Sequence, residues 1–171
     1  MTTGFAALKI LVIDNNPQMR TIITTVIEAI GVKDTYCAQD GREGLARLLR
    51  YPIDIIYVDF EMRPVNGLSF IRSVRALNTA KAEIPIIMLT AYGDSRSVIL
   101  ARDAGMTEFL VKPVTAASIL GRLNAVIMHP RAFIRSPNYT GPDRRRRALP
   151  YAGPERRSQA GLGAAANADG G

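Results

Sequence analysis

Four short apolar runs in this 171-residue chain each deliver a polar or charged residue at their carboxyl end. The residues and the runs they follow are Asp14 after 10–13, Asp59 after 53–58, Thr90 after 86–89 and Lys112 after 109–111. In an open parallel sheet the carboxyl ends of the strands lie side by side, and ligands bind in the crevice outside them. Two carboxylates, a hydroxyl and an ammonium that converge there indicate a site for a divalent cation and a phosphoryl group.

Apolar runs of strand length alternate with segments of helical period, which is typical of βα units around a parallel sheet. Five such units predict an α/β, flavodoxin-like fold with strand order 2-1-3-4-5 and helices on both faces. We place the strands near 8–13, 34–38, 53–58, 84–89 and 108–111. The helices are expected from Pro17 until Gly31, at 41–50, from Gly67, at 94–104 and at 115–128. Their apolar stripes include Ile22, Leu49 and Ile127 among the residues predicted to face inward.

Basic residues are concentrated near the carboxyl end. Residues 1–130 hold 14 Lys or Arg against 12 Asp or Glu, whereas residues 131–171 hold 8 against 3, so the net charge of +7 belongs mainly to the latter segment. That segment is rich in Pro, Gly and Arg and has no helical or strand period, which predicts a disordered extension. We therefore expect a domain at 6–129 and a disordered basic tail at 130–171.

The tail contains a short repeat. Tyr139-Thr-Gly-Pro-Asp-Arg-Arg recurs twelve residues later as Tyr151-Ala-Gly-Pro-Glu-Arg-Arg. Flexible Arg clusters attract nucleic-acid backbones and acidic membrane surfaces, so the tail is the one part of the chain open to nucleic-acid binding. Because electrostatic attraction would require only charge, the repeated Tyr and Gly-Pro indicate instead a peptide motif read by a protein partner. A solvated tail that keeps the protein soluble is the third alternative.

Composition argues against several functional classes. The single cysteine, Cys37, rules out an intramolecular disulfide and argues against a cysteine metal site. No run approaches the roughly 18 apolar residues of a membrane span, and the first residues lack a basic segment followed by a long apolar stretch, so we expect a cytoplasmic protein. The sequence contains no Ser/His/Asp arrangement, Gly-rich phosphate loop or helix-turn-helix module after residue 130.

Taken together, four stretches of residues 6–129 resemble the receiver domain of bacterial two-component response regulators. They are Ile10-Leu-Val-Ile-Asp14, Val58-Asp59-Phe-Glu-Met62 with Gly67-Leu68, Met88-Leu-Thr90-Ala91 and Phe109-Leu-Val-Lys112-Pro113. The resemblance implies a stand-alone phosphorelay protein in which Asp59 accepts a phosphoryl group from a histidine kinase or phosphotransfer protein. Such a protein is not an enzyme beyond assisting its own phosphorylation and dephosphorylation, and it signals through protein contacts.

The resemblance also implies roles for the neighbouring residues. The Mg²⁺ ligands would be Asp14, Asn15, Asp59 and the backbone carbonyl of Glu61. Thr90 and Lys112 would contact the phosphoryl group, and Thr90 with Phe109 would form the switch. The Lys112–Pro113 peptide would be cis, and the downstream target would bind the face made by the fourth helix, fifth strand and fifth helix.

Asn15 departs from the family pattern, because most receivers carry two adjacent acidic residues after the first strand. An amide oxygen coordinates Mg²⁺ without contributing charge, so we expect lower metal affinity and slower phosphorylation. Two alternatives to the phosphorylated receiver stay open. Because of Asn15, the chain could be a pseudo-receiver that acts as an interaction module without phosphorylation. Because of its Arg-rich tail, it could be a nucleic-acid binder whose receiver regulates that tail.

Overall fold

The computed structural model of this protein describes residues 5–91 and 95–145. Its five parallel strands are β1 (Lys9–Ile13), β2 (Asp34–Ala38), β3 (Ile55–Asp59), β4 (Ile86–Thr90) and β5 (Glu108–Val111). They form one sheet in the order β2-β1-β3-β4-β5. The helices are α1 (Pro17–Ala29), α2 (Gly41–Arg50), α3 (Gly67–Arg75), α4 (Ser95–Ala104) and α5 (Ala116–Met128). The predicted flavodoxin-like fold is confirmed; Asp94, the predicted start of α4, lies outside the described residues.

The central strands are buried on both faces, as parallel strands covered by helices must be. Every residue of β3 and β4 is buried. Alternate residues of β1 enter two separate cores, because successive side chains of a strand point to opposite faces. Leu11 and Ile13 pack into the core that includes Phe70, while Ile10 and Val12 pack into the other.

Side-chain caps set where the helices begin. The Asn16 side chain accepts hydrogen bonds from the backbone N–H groups of Gln18 and Met19, and Pro17 occupies the first helical position of α1. Asp40 caps α2 in the same way, and Thr115 caps α5. Only two to four residues separate these three helices from the strands before them, so the caps position the short loops in between. No helix among the described residues has the length and hydropathy needed to cross a membrane.

Three residues predicted to face inward lie at the surface instead. Ile22, Leu49 and Ile127 are 45%, 56% and 36% exposed. In each case a neighbour one position away along the helix, namely Ile23, Leu48 or Val126, takes the buried position. Successive residues of a helix point about 100° apart, so an apolar pair on the edge of a stripe cannot bury both members.

The prediction of a disordered segment from residue 130 is wrong for its first part. Two antiparallel strands, β6 (Phe133–Ser136) and β7 (Tyr139–Pro142), form a hairpin. An isolated hairpin is marginally stable in water. Here Arg131 donates to the backbone oxygen of Thr107 at 2.9 Å, and Gly141 and Pro142 are buried. Contacts with the five-stranded domain therefore order this segment, although its own sequence has no pattern that predicts a strand. Residues 146–171, which include the second copy of the repeat, lie outside the described residues.

Candidate functional site

The carboxyl edge of the sheet carries the four residues singled out in the sequence. Asp59 and Thr90 are the last residues of β3 and β4, while Asp14 and Lys112 directly follow β1 and β5. The backbone N–H of Lys112 donates to the carbonyl of Thr90 at 2.8 Å, which fixes the loop after β5 beside the end of β4. Because β1, β3, β4 and β5 are consecutive in the sheet, the four residues line one rim.

Lys112 joins the two aspartates. Its Nζ lies 2.7 Å from Asp59 Oδ1 and 3.5 Å from Asp14 Oδ2. Asp14 is fully buried and Asp59 is 4% exposed, whereas the Lys112 side chain is 29% exposed. One ammonium thus faces two buried carboxylates, and the cluster carries one excess negative charge when all three groups are ionised.

This excess shows in the pKa values of the cluster. Burial raises the pKa of the Asp59 carboxyl, the charges of Asp14 and Glu61 raise it further, and the hydrogen bond from Lys112 opposes them without cancelling them. Burial by itself would lower the pKa of Lys112, but the hydrogen bond and attraction from Asp59, together with Asp14, outweigh burial and raise it. The ammonium is therefore held charged, while the Asp59 carboxylate favours any additional positive charge.

Asp14 is oriented by its own loop. Its Oδ1 accepts a hydrogen bond from the backbone N–H of Asn16 at 2.8 Å, and its carbonyl accepts one from Nη1 of Arg20. Among the described residues, Oδ2 of Asp14 is buried without a hydrogen-bond donor. The Arg20 contact was not expected from the sequence, since Arg20 belongs to the next helix and carries no motif.

Gly67 is a second residue whose part in the site was not foreseen. A Cβ on Gly67 would lie 2.2 Å from the carbonyl oxygen of Asp59, so no other residue type fits here without moving the loop. Its N–H donates to Phe60 O at 3.1 Å, which closes the loop after β3. Gly67 stood in the stretches that resemble receivers, and its position eight residues after Asp59 was the available indication.

Glu61 and Asn15 are the two other residues for which the sequence predicts a metal contact. Both are exposed, and Glu61 lines a small pocket of about 50 Å³ together with Asp59, Phe60, Ala91 and Lys112. Within the described ranges, no three His, Cys, Asp or Glu side chains are grouped so as to hold a metal ion. The hard-oxygen donors that suit Mg²⁺ are thus two carboxylates, and neutral oxygens must complete any coordination. Oδ2 of Asp14 is one of these donors, and its ion pair with Lys112 is long, at 3.5 Å.

Thr90 and Phe109 border a common apolar groove. The groove measures about 370 Å³ and is lined by Thr90, Ala91, Ser95, Val98, Ile99, Phe109 and Val111. Thr90 is 1% exposed, and its hydroxyl has no hydrogen-bond partner among the described residues. Phe109 is partly buried, and the guanidinium of Arg122 lies 5.6 Å from its ring centre. An unsatisfied buried hydroxyl next to an aromatic ring is an arrangement that can respond to a new acceptor at the rim.

The loop after β5 has the geometry that the resemblance implied. The Lys112–Pro113 peptide bond is cis, and the Arg63–Pro64 bond in the loop after β3 is cis as well. The second of these was not expected from the sequence.

Comparison with known sequences agrees with this geometry. Residues 10–124 match the family model of the response regulator receiver domain. Chemotaxis protein CheY1 of Helicobacter pylori is 36% identical over 121 residues, which cover 70% of this chain and 97% of that protein. Chemotaxis protein CheY-3 of Vibrio cholerae is 30% identical over 119 residues, covering 70% of this chain and 91% of that protein.

Solved structures give the same result. The chemotaxis response regulator CheY4 of Vibrio cholerae superposes with a TM-score of 0.65 at 29% identity, over 70% of this chain and 98% of that one. The receiver domain of the sensor histidine kinase PA1611 of Pseudomonas aeruginosa superposes with a TM-score of 0.64 at 27% identity, over 71% of this chain and 98% of that one. That structure has a magnesium ion coordinated in its active-site cleft. The chain belongs to the response regulator receiver family, and it functions in phosphorelay signal transduction.

Proposed function

We propose that Asp59 is the phosphoacceptor of this receiver and that a histidine kinase or a phosphotransfer protein supplies the phosphoryl group. A carboxylate oxygen of Asp59 forms the new O–P bond while the P–N bond of the phosphohistidine breaks, and its electron pair returns to the imidazole nitrogen. The observation that carries the proposal is the Lys112 ammonium 2.7 Å from a buried carboxylate at the end of β3. That charge favours the approach of an anionic donor to an anionic acceptor.

The remaining rim residues have separate roles in the proposal. Lys112 pairs with the phosphoryl oxygens as a point charge, and the hydroxyl of Thr90 donates to another phosphoryl oxygen. Mg²⁺, when bound, would neutralise charge that develops on the phosphoryl oxygens. Asp14, Asp59, the amide of Asn15 and the backbone carbonyl of Glu61 would hold it, and the buried Oδ2 of Asp14, which accepts no hydrogen bond among the described residues, fits a ligand of this kind.

The proposal assigns the output to the face made by α4, β5 and α5. Four large apolar residues are exposed on its two helices, with Ile99 at 49%, Leu100 at 38%, Ile127 at 36% and Met128 at 69%. Together with the groove beside Phe109 they supply apolar area for a protein target. Phosphorylation would act by favouring one arrangement of Thr90 and Phe109 over another, as far as the phosphoryl group binds one arrangement better. The receiver unit would comprise residues 6–129, and its site of action would be the cytoplasm.

Phosphorylation by a small-molecule donor tests the acceptor directly. Acetyl phosphate or phosphoramidate with Mg²⁺ should add the mass of one phosphoryl group to the full chain, and Asp59→Asn should abolish the gain. Asp34→Asn, which removes an exposed carboxylate on the edge strand β2, should leave the gain unchanged. Transfer from a phosphorylated histidine kinase provides a second donor. If neither donor labels Asp59, the chain is a pseudo-receiver and the proposal is wrong.

A further inference from the structure

The hairpin places the first copy of the repeat, residues 139–145, against one patch of the receiver. We call this patch the docking surface; it comprises Arg75, Asp103 and Gly105. Arg144 reaches Asp103 with Nη1 at 3.2 Å, and a groove of about 310 Å³ between α3, α4 and the hairpin is lined by Arg75, Asp103, Tyr139 and Thr140 among others. The patch lies at the end of α4 that is remote from Asp59.

The contacts select particular residue types at three positions of the repeat. A Cβ on Gly141 would lie 2.7 Å from Gly105 Cα, so the two backbones approach as closely as glycine permits. The Tyr139 hydroxyl donates to Pro142 O at 2.7 Å, which closes the turn. The Arg144 guanidinium lies 4.0 Å above the Tyr139 ring, a cation–π contact that aims it at Asp103.

All three selected positions recur in the second copy, and so does Pro142. Tyr151, Gly153, Pro154 and Arg156 match Tyr139, Gly141, Pro142 and Arg144. The copies differ at Thr140 and Asp143, which become Ala152 and Glu155. Thr140 approaches Gly105 with its backbone oxygen, and Asp143 pairs its backbone N–H with Ala132 O, so other side chains at these positions keep both contacts.

We propose that residues 151–157 are a second ligand of the docking surface, which takes the place of the first copy on the same chain in an alternate register. β6 would then pair with 151–154 instead of with β7. The connecting loop grows from the two residues 137–138 to the fourteen residues 137–150. Closing the longer loop disfavours the alternate register roughly twentyfold. The first copy is therefore the docked one at rest, and the second takes over when the first is lost or bound elsewhere.

The alternate register changes what the tail displays. In the resting register Arg144 contacts the receiver. The proposal then leaves the pair Arg156–Arg157 to bind a partner. In the alternate register the first copy, with Arg144–Arg147, becomes part of the loop and is released from Asp103. When a partner binds the first copy, the second copy would occupy the docking surface in its place. The proposal does not depend on phosphorylation of Asp59.

Hydrogen exchange of the full chain tests the exchange of copies. In the native chain, amides of 133–142 should be protected and those of 151–154 should exchange at nearly the unprotected rate, because the alternate register is populated at about one part in twenty. Gly141→Val blocks the first copy by its clash with Gly105. In that variant 133–136 should stay protected, and the protection of 151–154 should rise several-fold.

The matched glycine of the second copy supplies the controls. Gly153→Val alone should leave the native pattern unchanged, and Gly141→Val with Gly153→Val should expose both 133–136 and 151–154. Exchange in β4 reports whether the receiver stays folded; should Gly141→Val disturb it, Tyr139→Ala with Arg144→Ala weakens the first copy without a clash. The proposal is overturned if blocking the first copy gives the same pattern as the double glycine variant. It is also overturned if the gain at 151–154 rises with protein concentration, since docking then comes from a second chain.

Discussion

At the scale of single residues, Lys112 determines the electrostatics of the site. It is the one ammonium within 4 Å of both Asp14 and Asp59 among the described residues. Both its own pKa and that of Asp59 are raised. A raised carboxyl pKa beside a charged ammonium means that burial and the second carboxylate outweigh the ion pair. The folded receiver thus holds the Asp59 carboxylate ionised at a cost in folding free energy, which a bound cation would relieve.

Asp59→Asn should therefore stabilise the fold at neutral pH. Because folding raises the pKa of Asp59, its contribution to the free energy of unfolding is complete below its unfolded pKa of about 4 and falls as the pH rises through the folded value. Removing the ionised carboxylate should raise the free energy of unfolding at pH 7.5 by on the order of 1 kcal/mol. Urea titrations at pH 7.5 and pH 4 measure the difference. An advantage of Asn that grew on acidification would contradict this account.

The rim residues were predictable because their placement depends on strand ends. Asp14, Asp59 and Lys112 each terminate an apolar run, and the parallel order of the strands brings them together without any further information. The sequence did not predict how Arg20 and Gly67 contribute to the site. Their parts in the site are a hydrogen bond to the Asp14 carbonyl and a close approach to the Asp59 carbonyl, which depend on how a loop folds back rather than on a local pattern.

At the scale of elements, Arg75 connects three segments at the amino edge of the sheet, which is the edge where the strands begin. It lies at the end of α3, and its guanidinium donates to Gly105 O at 2.8 Å, Ala82 O at 2.6 Å and Ile84 O at 2.9 Å. Burial lowers its pKa to about 10, which is still far above neutrality, so the side chain stays charged. The ring of Phe133 on β6 lies 5.5 Å from the same guanidinium. Arg75 thereby supports the loop before β4, the loop before β5 and the hairpin together.

Arg75→Met should cost about 3 kcal/mol of stability, because three carbonyls at the amino edge lose their common donor. The loss should be accompanied by faster amide exchange in 133–142, since Phe133 loses its support. Arg72→Met, an exposed position on the preceding turn of α3, is the matched control and should change little. Denaturant titration with hydrogen exchange measures both effects. If the two variants were equally stable, the three hydrogen bonds of Arg75 would not contribute to the stability of the amino edge.

The elements of the receiver were predicted closely, whereas the hairpin was missed. Caps such as Asn16 and Asp40 and apolar runs such as 86–89 are local features, so the helices and strands they define were found within about two residues. The hairpin has neither a cap nor an alternating pattern, because β7 reads Tyr-Thr-Gly-Pro. Its order comes from Arg75, Asp103 and Thr107, which are distant in sequence. The repeat indicated a binding motif, but not that the first copy binds the chain itself.

At the scale of the whole molecule, α4 links the two edges of the sheet. It begins at Ser95, which lines the groove beside Thr90, and its last turn carries Asp103, which contacts Arg144 of the hairpin. The loop that follows places Gly105 against Gly141. The hairpin therefore holds the end of α4 that is remote from Asp59. If phosphorylation shifted α4, as the proposed function implies, the shift would act against these contacts. The hairpin would then oppose at one end of α4 a movement that begins at the other end.

Removal of the hairpin should consequently weaken the receiver itself. A chain that ends after residue 130 loses the Arg131 hydrogen bond to Thr107, the burial of Gly141 and Pro142 and the cover of Arg75. We expect a loss of about 2 kcal/mol, which corresponds to a fall in Tm of about 5 °C. Amides near Gly105 should exchange faster. A chain that ends after residue 145 keeps every one of these contacts, so its Tm should equal that of the full chain. Equal melting of the two truncated chains would show that the hairpin rests on the receiver without stabilising it.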